Sequence, residues 1–147
     1  MKTKEVKAFV VGKENNMSYY QKLSKKLNID NQIFFTGPRI DVNDFYAISD
    51  IFLFPTHYDP FSNVVLEAMY FDNVVFTTRS NGASEILDSD FIMDIPYDRK
   101  VAASIDYLIN NKASLNKIKI KNKKTSKRFS IDKNLKQTLA VINKIEY

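Results

Sequence analysis

Short apolar runs alternate with amphipathic segments along most of the chain, and this alternation predicts strands and helices in turn. The apolar runs are rich in Val, Ile and Phe and most end at Gly, Pro or Asp, which is typical of buried strands. The predicted strands are residues 6–12, 33–37, 51–55, 73–78 and 90–96. The segments between them have a helical spacing of apolar residues and predict helices at 17–27, 41–48, 62–71 and 82–87.

Several of these strands carry apolar residues at consecutive positions, as in VKAFVVG and IFLFP. Such strands are buried on both faces, which requires parallel pairing with helices above and below the sheet. The sequence therefore predicts an α/β fold with a doubly wound parallel sheet. Ligands of such sheets bind beyond the carboxyl ends of the strands, so the candidate binding loops are 12–16, 37–41, 55–62 and 78–82.

The last part of the chain predicts helices, at residues 98–111 and 114–146. One apolar stripe with helical spacing runs along the final helix, formed by Ile131, Leu135, Leu139 and Ile142. We interpret residues 1–111 as a Rossmann-like domain and residues 112–147 as basic closing helices of the same domain.

Composition narrows the class of protein further. A chain of 147 residues fits one domain, and no apolar run approaches the roughly 18 residues that a membrane span needs. The N-terminal residues lack the pattern of a signal peptide, so a soluble intracellular protein is expected. Without cysteine and with one histidine, a Cys/His zinc site is excluded. ATPases and classical dehydrogenases lose support because neither a P-loop nor a GxGxxG motif is present.

The net charge of +5 is unevenly distributed along the chain. Residues 1–111 carry 11 basic and 15 acidic side chains, whereas residues 112–147 carry 11 basic and 2 acidic ones. This asymmetry indicates either an anionic partner, such as a membrane surface, or simply a well-solvated helical face. Nucleic acid is disfavoured as the partner, because Phe129 is the tail's single aromatic residue before Tyr147 and offers little to stack bases.

The stretch PTHYDPFSNVVLE at residues 55–67 combines a strand end with a helix start. We predict that Ser62 is the N-cap and that its hydroxyl accepts a hydrogen bond from the first helical turn. The free amides at Asn63, Val64 and Val65 would then form an anion site suited to a phosphate or diphosphate. Glu67 lies too deep for a capping box, so it either accepts hydrogen bonds from a ligand's hydroxyls or faces solvent.

The stretch RSNGASE at residues 79–85 repeats this geometry. Asn81 and Gly82 can take positive φ or approach a ligand closely, and the helix that they open supplies a second set of free amides. Two helix N-termini would then face one crevice. The alternative is an ordinary turn between a strand and a helix, capped by Asn81 or Gly82.

An aspartate pair and the single histidine are weaker candidates for a functional site. Asp88-Ser-Asp90 has the D-x-D form that binds a divalent cation in some transferases, but it precedes a predicted strand, and we interpret it as a turn. His57 is the single histidine and lies in a loop, and no role is assigned to it.

The two loops together carry a family resemblance. YDPFSNVVLEA followed by TTRSNGASEI is similar to the donor-binding half of retaining GT-B glycosyltransferases with an E-x7-E motif. Within that family it resembles bacterial enzymes that build lipopolysaccharide and other surface glycans, and the match runs from Val6 to Ile95. The fold implied is the C-terminal Rossmann-like domain of a GT-B enzyme.

The resemblance also implies roles for individual residues. Asp59 stands where the family's first glutamate contacts the transferred sugar, and Glu67 stands at the second glutamate, which holds the ribose; these are the implied catalytic residues. The implied donor-binding residues are Gly12, Gly37, Pro38, Arg39, Phe61, Ser62, Asn63, Val64, Asn81 and Gly82. The donor would be a UDP-sugar, with no metal and no cofactor required.

The function implied is the donor half of a glycosyltransferase that transfers a hexose to a surface glycan or lipopolysaccharide-type acceptor. An N-terminal acceptor domain is expected as a partner, and the chain alone should be inactive. The alternative is a non-catalytic, degenerate nucleotide-sugar-binding module, which the shorter Asp59 favours. The expected location is cytoplasmic and peripheral at the inner membrane face, through the basic tail.

Overall fold

A computed structural model describes residues 6–145 of the chain. These residues form two compact units, the first ending at Ile48 and the second beginning at Ser49. The sequence predicted an α/β fold with parallel strands, and the structure confirms it, because every strand pair is parallel and helices lie between the strands in sequence.

The first unit contains one pair of strands and two helices. β1 (Ala8–Val11) pairs with β2 (Ile33–Gly37), α1 (Met17–Lys26) connects them, and α2 (Val42–Ile48) follows. The strands end together, since the amide of Gly12 donates to the carbonyl of Gly37 at 3.0 Å. Both glycines have positive φ, 134° and 69°, and open space where a Cβ would lie, so the backbone conformation alone favours glycine there.

The second unit contains a three-stranded sheet in the order β3-β4-β5. Its strands are β3 (Ile51–Phe54), β4 (Val74–Thr78) and β5 (Ile92–Met93). Its helices are α3 (Asn63–Tyr70), α4 (Lys100–Asn110), α5 (Lys112–Ser126) and α6 (Ile131–Ile145), with short 3₁₀ helices at Gly82–Ile86 and Ser89–Phe91.

β4 is the centre of this sheet and all five of its residues are buried. Val74 and Phe76 alternate onto one face, where they pack with residues of β5 and the following helices. The other members of this core are Met93, Val101, Leu108 and Leu115. This core attaches α4 and the start of α5 to the sheet.

The other strands differ from the prediction in burial and length. Consecutive apolar residues predicted burial on both faces, but β1 has three exposed residues of four, and Leu53 in β3 is also exposed. β5 has two residues, whereas seven were predicted, because a 3₁₀ helix occupies the preceding positions. The helical segment predicted at 114–146 forms two helices, since α5 ends at Ser126 and α6 begins at Ile131.

α3 ends in a Schellman motif at Asp72. The amide of Asn73 donates to the carbonyl of Ala68 at 3.0 Å, and that of Asp72 to the carbonyl of Met69 at 3.3 Å. Asp72 takes φ of 62°, a left-handed conformation in which glycine is the usual residue. α5 covers this end of the helix, because Lys123 pairs with Asp72 and the Asn122 side chain donates to the Asn73 carbonyl at 3.0 Å.

α5 makes further ion pairs within the second unit. Lys119 binds Asp50 at 2.5 Å, and Lys121 binds Asp88 at 2.6 Å. Part of the basic charge predicted for an external partner is therefore used to dock the helix on its own unit. Across residues 6–145 there is no helix with the length and hydropathy of a membrane span.

Candidate functional site

The loop that follows β3 is built around Asp59. Its carboxylate accepts hydrogen bonds from the amide of Phe61 at 3.1 Å and from the hydroxyl of Ser62 at 2.9 Å. Both oxygens of Asp59 are thus engaged within the loop. The carboxylate therefore fixes the turn that leads from the sheet into α3.

Ser62 is the N-cap of α3, as predicted, with φ of −78° and ψ of 114°. The predicted use of its hydroxyl was wrong, because the hydroxyl donates to Asp59 instead of accepting from the first turn. The amide of Val65 was also predicted to be free, but it donates to the carbonyl of Ser62 at 3.2 Å. The amides of Asn63 and Val64 have no intrahelical acceptor. Since the side chain of Ser62 does not cap them, they remain suited to an anion.

The second loop is organised by Asn81, which is fully buried. Its side-chain oxygen accepts from the amides of Ala83 at 3.0 Å and Ser62 at 3.4 Å, and its nitrogen donates to the hydroxyl of Thr77 at 2.9 Å. Asn81 therefore connects the two loops from inside the protein. Its side chain is used in the fold, which does not support the prediction that it contacts a donor.

Of the two alternatives for the second helix start, the structure shows the turn capped by Asn81 and not the anion site. It is a 3₁₀ helix of five residues, and its first three amides already have acceptors. Gly82 donates to the carbonyl of Asp59 at 2.9 Å, Ala83 to the Asn81 side chain and Ser84 to the Asn81 carbonyl at 2.9 Å. Of the two helix starts in these loops, that of α3 alone keeps amides for a ligand.

Gly82 is required by the packing of the two loops against each other. A Cβ at this position would lie 1.9 Å from the backbone oxygen of Pro60, far below any real contact. Gly82 does not take positive φ, so the first of the two predicted reasons for glycine was wrong. The residue permits close approach of another backbone, and this places the loops side by side.

Hydrogen bonds continue the strand pairing beyond the sheet. The amide of Asp59 donates to the carbonyl of Ser80 at 3.2 Å, and Asp59 and Asn81 form an isolated parallel bridge. The hydroxyl of Thr78 donates to the carbonyl of Thr56 at 2.6 Å. The loop that carries the candidate anion site is therefore held to the second loop by two hydrogen bonds, one at Asp59 and one at Thr56.

Glu67 lies one turn after Asn63, on the same face of α3. Its side chain is exposed. The structure thus brings Asp59, Glu67, Phe61, Ser62, Asn63 and Val64 together on one loop and one helix start.

Four predicted donor-binding residues belong to the first unit, namely Gly12, Gly37, Pro38 and Arg39. Arg39 donates two hydrogen bonds to the carboxylate of Asp41, at 2.8 and 2.5 Å, and lies 5.8 Å from the centre of the Phe45 ring. The hydrogen bonds from Arg39 lower the pKa of Asp41, and the same bonds raise the pKa of Arg39. The guanidinium is therefore engaged within its own loop, and its role towards a donor stays a prediction.

Asp88 and Asp90, interpreted from the sequence as a turn, lie at a short 3₁₀ helix. Asp88 precedes the 3₁₀ helix Ser89–Phe91 and pairs with Lys121. Within residues 6–145 no three acidic or histidine side chains lie close enough to hold a metal ion. The expectation that no metal is required remains a prediction.

Family comparison identifies the class of protein. Residues 1–126 match the family described as "Glycosyl transferases group 1". The chain belongs to this family. The match includes both loops and α5.

Individual relatives of this group 1 chain are similar over different lengths. It is 33% identical over 76 residues to CapM of Staphylococcus aureus, a capsular polysaccharide biosynthesis glycosyltransferase, covering 50% of this chain and 20% of CapM. Anabaena HepE, solved with UDP, has a TM-score of 0.85 at 22% identity, over 97% of this chain and 42% of HepE. WaaG, a glycosyltransferase involved in lipopolysaccharide biosynthesis, has a TM-score of 0.72 at 19% identity, over 84% of this chain and 34% of WaaG. The chain thus spans less than half the length of these relatives, and the structural neighbours show the fold alone.

Sequence reasoning missed a cavity beside the start of α3. It has a volume of about 650 Å³ and lies between Phe61 and Asn63 on one side and the junction of α5 with α6 on the other. The rings of Phe61 and Phe129 are 6.0 Å apart and join the two sides. The signal available in the sequence was Phe129 itself, the aromatic residue in an otherwise basic segment.

Proposed function

We propose that the second unit binds the sugar and diphosphate of a nucleotide-sugar donor, and that the group 1 chain is the donor-binding half of a retaining glycosyltransferase. The observation that carries the proposal is the start of α3, whose amides at Asn63 and Val64 remain for an anion on a loop held to the second loop by two hydrogen bonds. The relative HepE, which shares the fold, was solved with UDP and also with UDP-glucose. A UDP-hexose is therefore the donor that we propose.

Each part of the loop has a role in this proposal. The backbone from Phe61 to Val64 meets the diphosphate and the sugar, and Glu67 accepts hydrogen bonds from the ribose hydroxyls. Asp59 fixes the turn through Phe61 and Ser62, which makes it a positioning residue for the amides and for the transferred sugar.

The proposed reaction needs no nucleophile from the protein. The bond from the sugar's C1 to the diphosphate breaks, and UDP leaves with the electron pair. The acceptor's hydroxyl oxygen bonds to C1 from the face that UDP vacates, and its proton passes to the departing diphosphate. The amides of α3 stabilise the charge that develops on the diphosphate, without a metal ion. We propose that the acceptor is a surface glycan or lipopolysaccharide-type molecule and that the rest of a longer protein supplies its domain.

Titration calorimetry with UDP tests the donor site. We expect binding by the unchanged chain, and about tenfold weaker binding by Glu67→Gln, because a charged acceptor of hydrogen bonds is lost. Glu85→Gln is the matched control, since it removes the same charge from an exposed position on the adjacent loop. Absence of UDP binding, or equal weakening by both variants, would contradict the proposal.

The alternative function is a non-catalytic module that binds a nucleotide sugar. Asp59 favours it, because both oxygens of its carboxylate are used within the loop. The deciding test is release of UDP from UDP-glucose by the longer protein that includes the acceptor domain, measured with an acceptor-bearing extract. Release that is lost in its Asp59→Ala variant would decide for the catalytic proposal.

We also propose that the basic tail contacts an anionic membrane surface. Among the described residues, Lys124 and Lys127 have no carboxylate within ion-pair distance, whereas Lys119 and Lys121 are paired. Sedimentation with phosphatidylglycerol vesicles at low salt should therefore be reduced more by Lys124→Gln with Lys127→Gln than by Lys119→Gln with Lys121→Gln. Vesicle binding that is absent, or equally affected by both pairs, would refute a role for these two lysines.

A further inference from the structure

The cavity beside α3 has the size of a small-molecule site. Its volume of about 650 Å³ falls within the range of roughly 300–1,000 Å³ that ligand pockets occupy. Phe61 and Asn63 line it from the donor loop, and Arg128, Phe129 and Lys133 line it from the tail. It therefore adjoins the backbone that is proposed to hold the transferred sugar.

The charge of the cavity is positive. Arg128 and Lys133 contribute side chains to its wall, and none of the lining residues is acidic. In the part of the chain that the structure describes, neither cation has a carboxylate within ion-pair distance. Lys133 donates only to the carbonyl of Arg128, at 3.3 Å, so both cations keep donors for an anion.

The remaining lining residues suit a polyhydroxylated molecule. The rings of Phe61 and Phe129 lie 6.0 Å apart and tilted by 38°, and they offer an apolar surface to the C–H face of a sugar ring. Asn63, Asn134 and Gln137 add amide groups that both donate and accept hydrogen bonds. Aromatic rings, amides and cations on one wall are the groups that recognise an acidic sugar.

The polar flank of α6 supplies three of the residues that line this cavity, and Ile131, at the start of the helix's apolar stripe, also lines it. Lys133, Asn134 and Gln137 fall on one side of α6, since residues three and four apart share a face. The stripe of Ile131, Leu135, Leu139 and Ile142 is centred on a different side and is exposed. The stripe thus reaches the cavity only at Ile131, and Leu135, Leu139 and Ile142 lie outside its lining.

We propose that this cavity binds a sugar that carries a negative charge, as the subsite for the acceptor next to the donor. The acceptor role rests on the proposed glycosyl transfer, because the hydroxyl that attacks C1 has to lie beside the transferred sugar. Binding of the acidic sugar itself depends only on the cavity. The two parts can therefore fail separately.

The experiment uses the full chain and titrates it with glucuronate, glucose 1-phosphate, glucose and inorganic phosphate. We expect at least one acidic sugar to bind about tenfold more tightly than glucose and more tightly than inorganic phosphate. The tighter of glucuronate and glucose 1-phosphate identifies the charged group. Glucose binding as tightly as both acidic sugars, or inorganic phosphate binding as tightly as the sugar phosphate, would overturn the proposal.

Two variants test whether the acidic sugar binds in this cavity. Arg128→Gln should weaken the acidic sugar about tenfold and leave UDP affinity unchanged, because it lies outside the residues assigned to the donor. Lys136→Gln is the matched control, since Lys136 is exposed on α6, outside the cavity, and carries the same charge. Equal effects of the two variants, or an Arg128→Gln chain that binds the acidic sugar normally, would overturn the site. Absence of UDP binding by the unchanged chain would instead contradict the proposed donor site. It would not affect the proposal that the cavity binds an acidic sugar.

Discussion

Gly82→Ala should lower the free energy of unfolding by about 3 kcal/mol and weaken UDP binding at least about tenfold. The added Cβ would lie 1.9 Å from the backbone oxygen of Pro60, and backbone atoms cannot rotate away as a flexible side chain can. Relief requires the two loops to separate, which also breaks the hydrogen bond from Gly82 to the Asp59 carbonyl. Because Asp59 fixes the start of α3, the candidate anion site moves as well.

The control for this prediction is Ser84→Ala, two residues further along the same 3₁₀ helix. No side-chain hydrogen bond of Ser84 contributes to the contact between the loops, so its loss should change stability by no more than about 0.5 kcal/mol. Urea unfolding followed by circular dichroism gives both stabilities, and calorimetry gives the UDP affinities. A Gly82→Ala chain within about 1 kcal/mol of the unchanged protein would show that the loops are not held together as described.

The sequence predicted the elements that depend on local chemistry. β2 occupies the predicted residues 33–37 because its apolar run is ended by Gly37 and Pro38. The start of α3 was also found, since Ser62 has the extended conformation of an N-cap residue. Family membership was predictable for the same reason, because the motif residues are contiguous along the chain.

The sequence did not predict which partners the polar side chains would choose. Ser62 and Asn81 each have several possible hydrogen-bond partners, and the choice depends on two loops that are separate in sequence and adjacent in space. Gly82 was misinterpreted for this reason, since its neighbour is the backbone of Pro60, more than twenty positions earlier along the chain. Burial was mispredicted in β1 because consecutive apolar residues show what a strand can bury, and packing decides what it does bury.

The charge of the tail is a second case in which the sequence does not show contacts between distant residues. The eleven basic residues of the last segment indicated either an external anion or a solvated face. Lys119, Lys121 and Lys123 instead pair with aspartates that are distant in sequence. A charge count along the chain cannot distinguish such internal pairs from a free surface. Arg128 and Lys133 differ from these lysines because they line a cavity without a carboxylate.

Asn81→Ala should destabilise the protein by about 3 kcal/mol, through a mechanism different from that of Gly82→Ala. The substitution adds no clash, but it removes the acceptor of the Ala83 and Ser62 amides and the donor to Thr77. Asn81 is fully buried, so water cannot easily replace these bonds. Asn116→Ala, at an exposed position on α5, is the control and should be close to neutral.

Asn81→Asp tests whether the hydrogen bond that the Asn81 side-chain nitrogen donates to Thr77 contributes to stability. Aspartate keeps an acceptor for both amides but places an oxygen against the hydroxyl of Thr77, whose own proton is donated to the carbonyl of Phe54 at 3.0 Å. Two acceptors then face each other, and a charge is buried, so we expect Asn81→Asp to be no more stable than Asn81→Ala at neutral pH. Chemical denaturation of both variants decides the point. An Asn81→Asp chain as stable as the unchanged protein would mean that the bond to Thr77 contributes nothing, and that the loops are held by the two amide contacts alone.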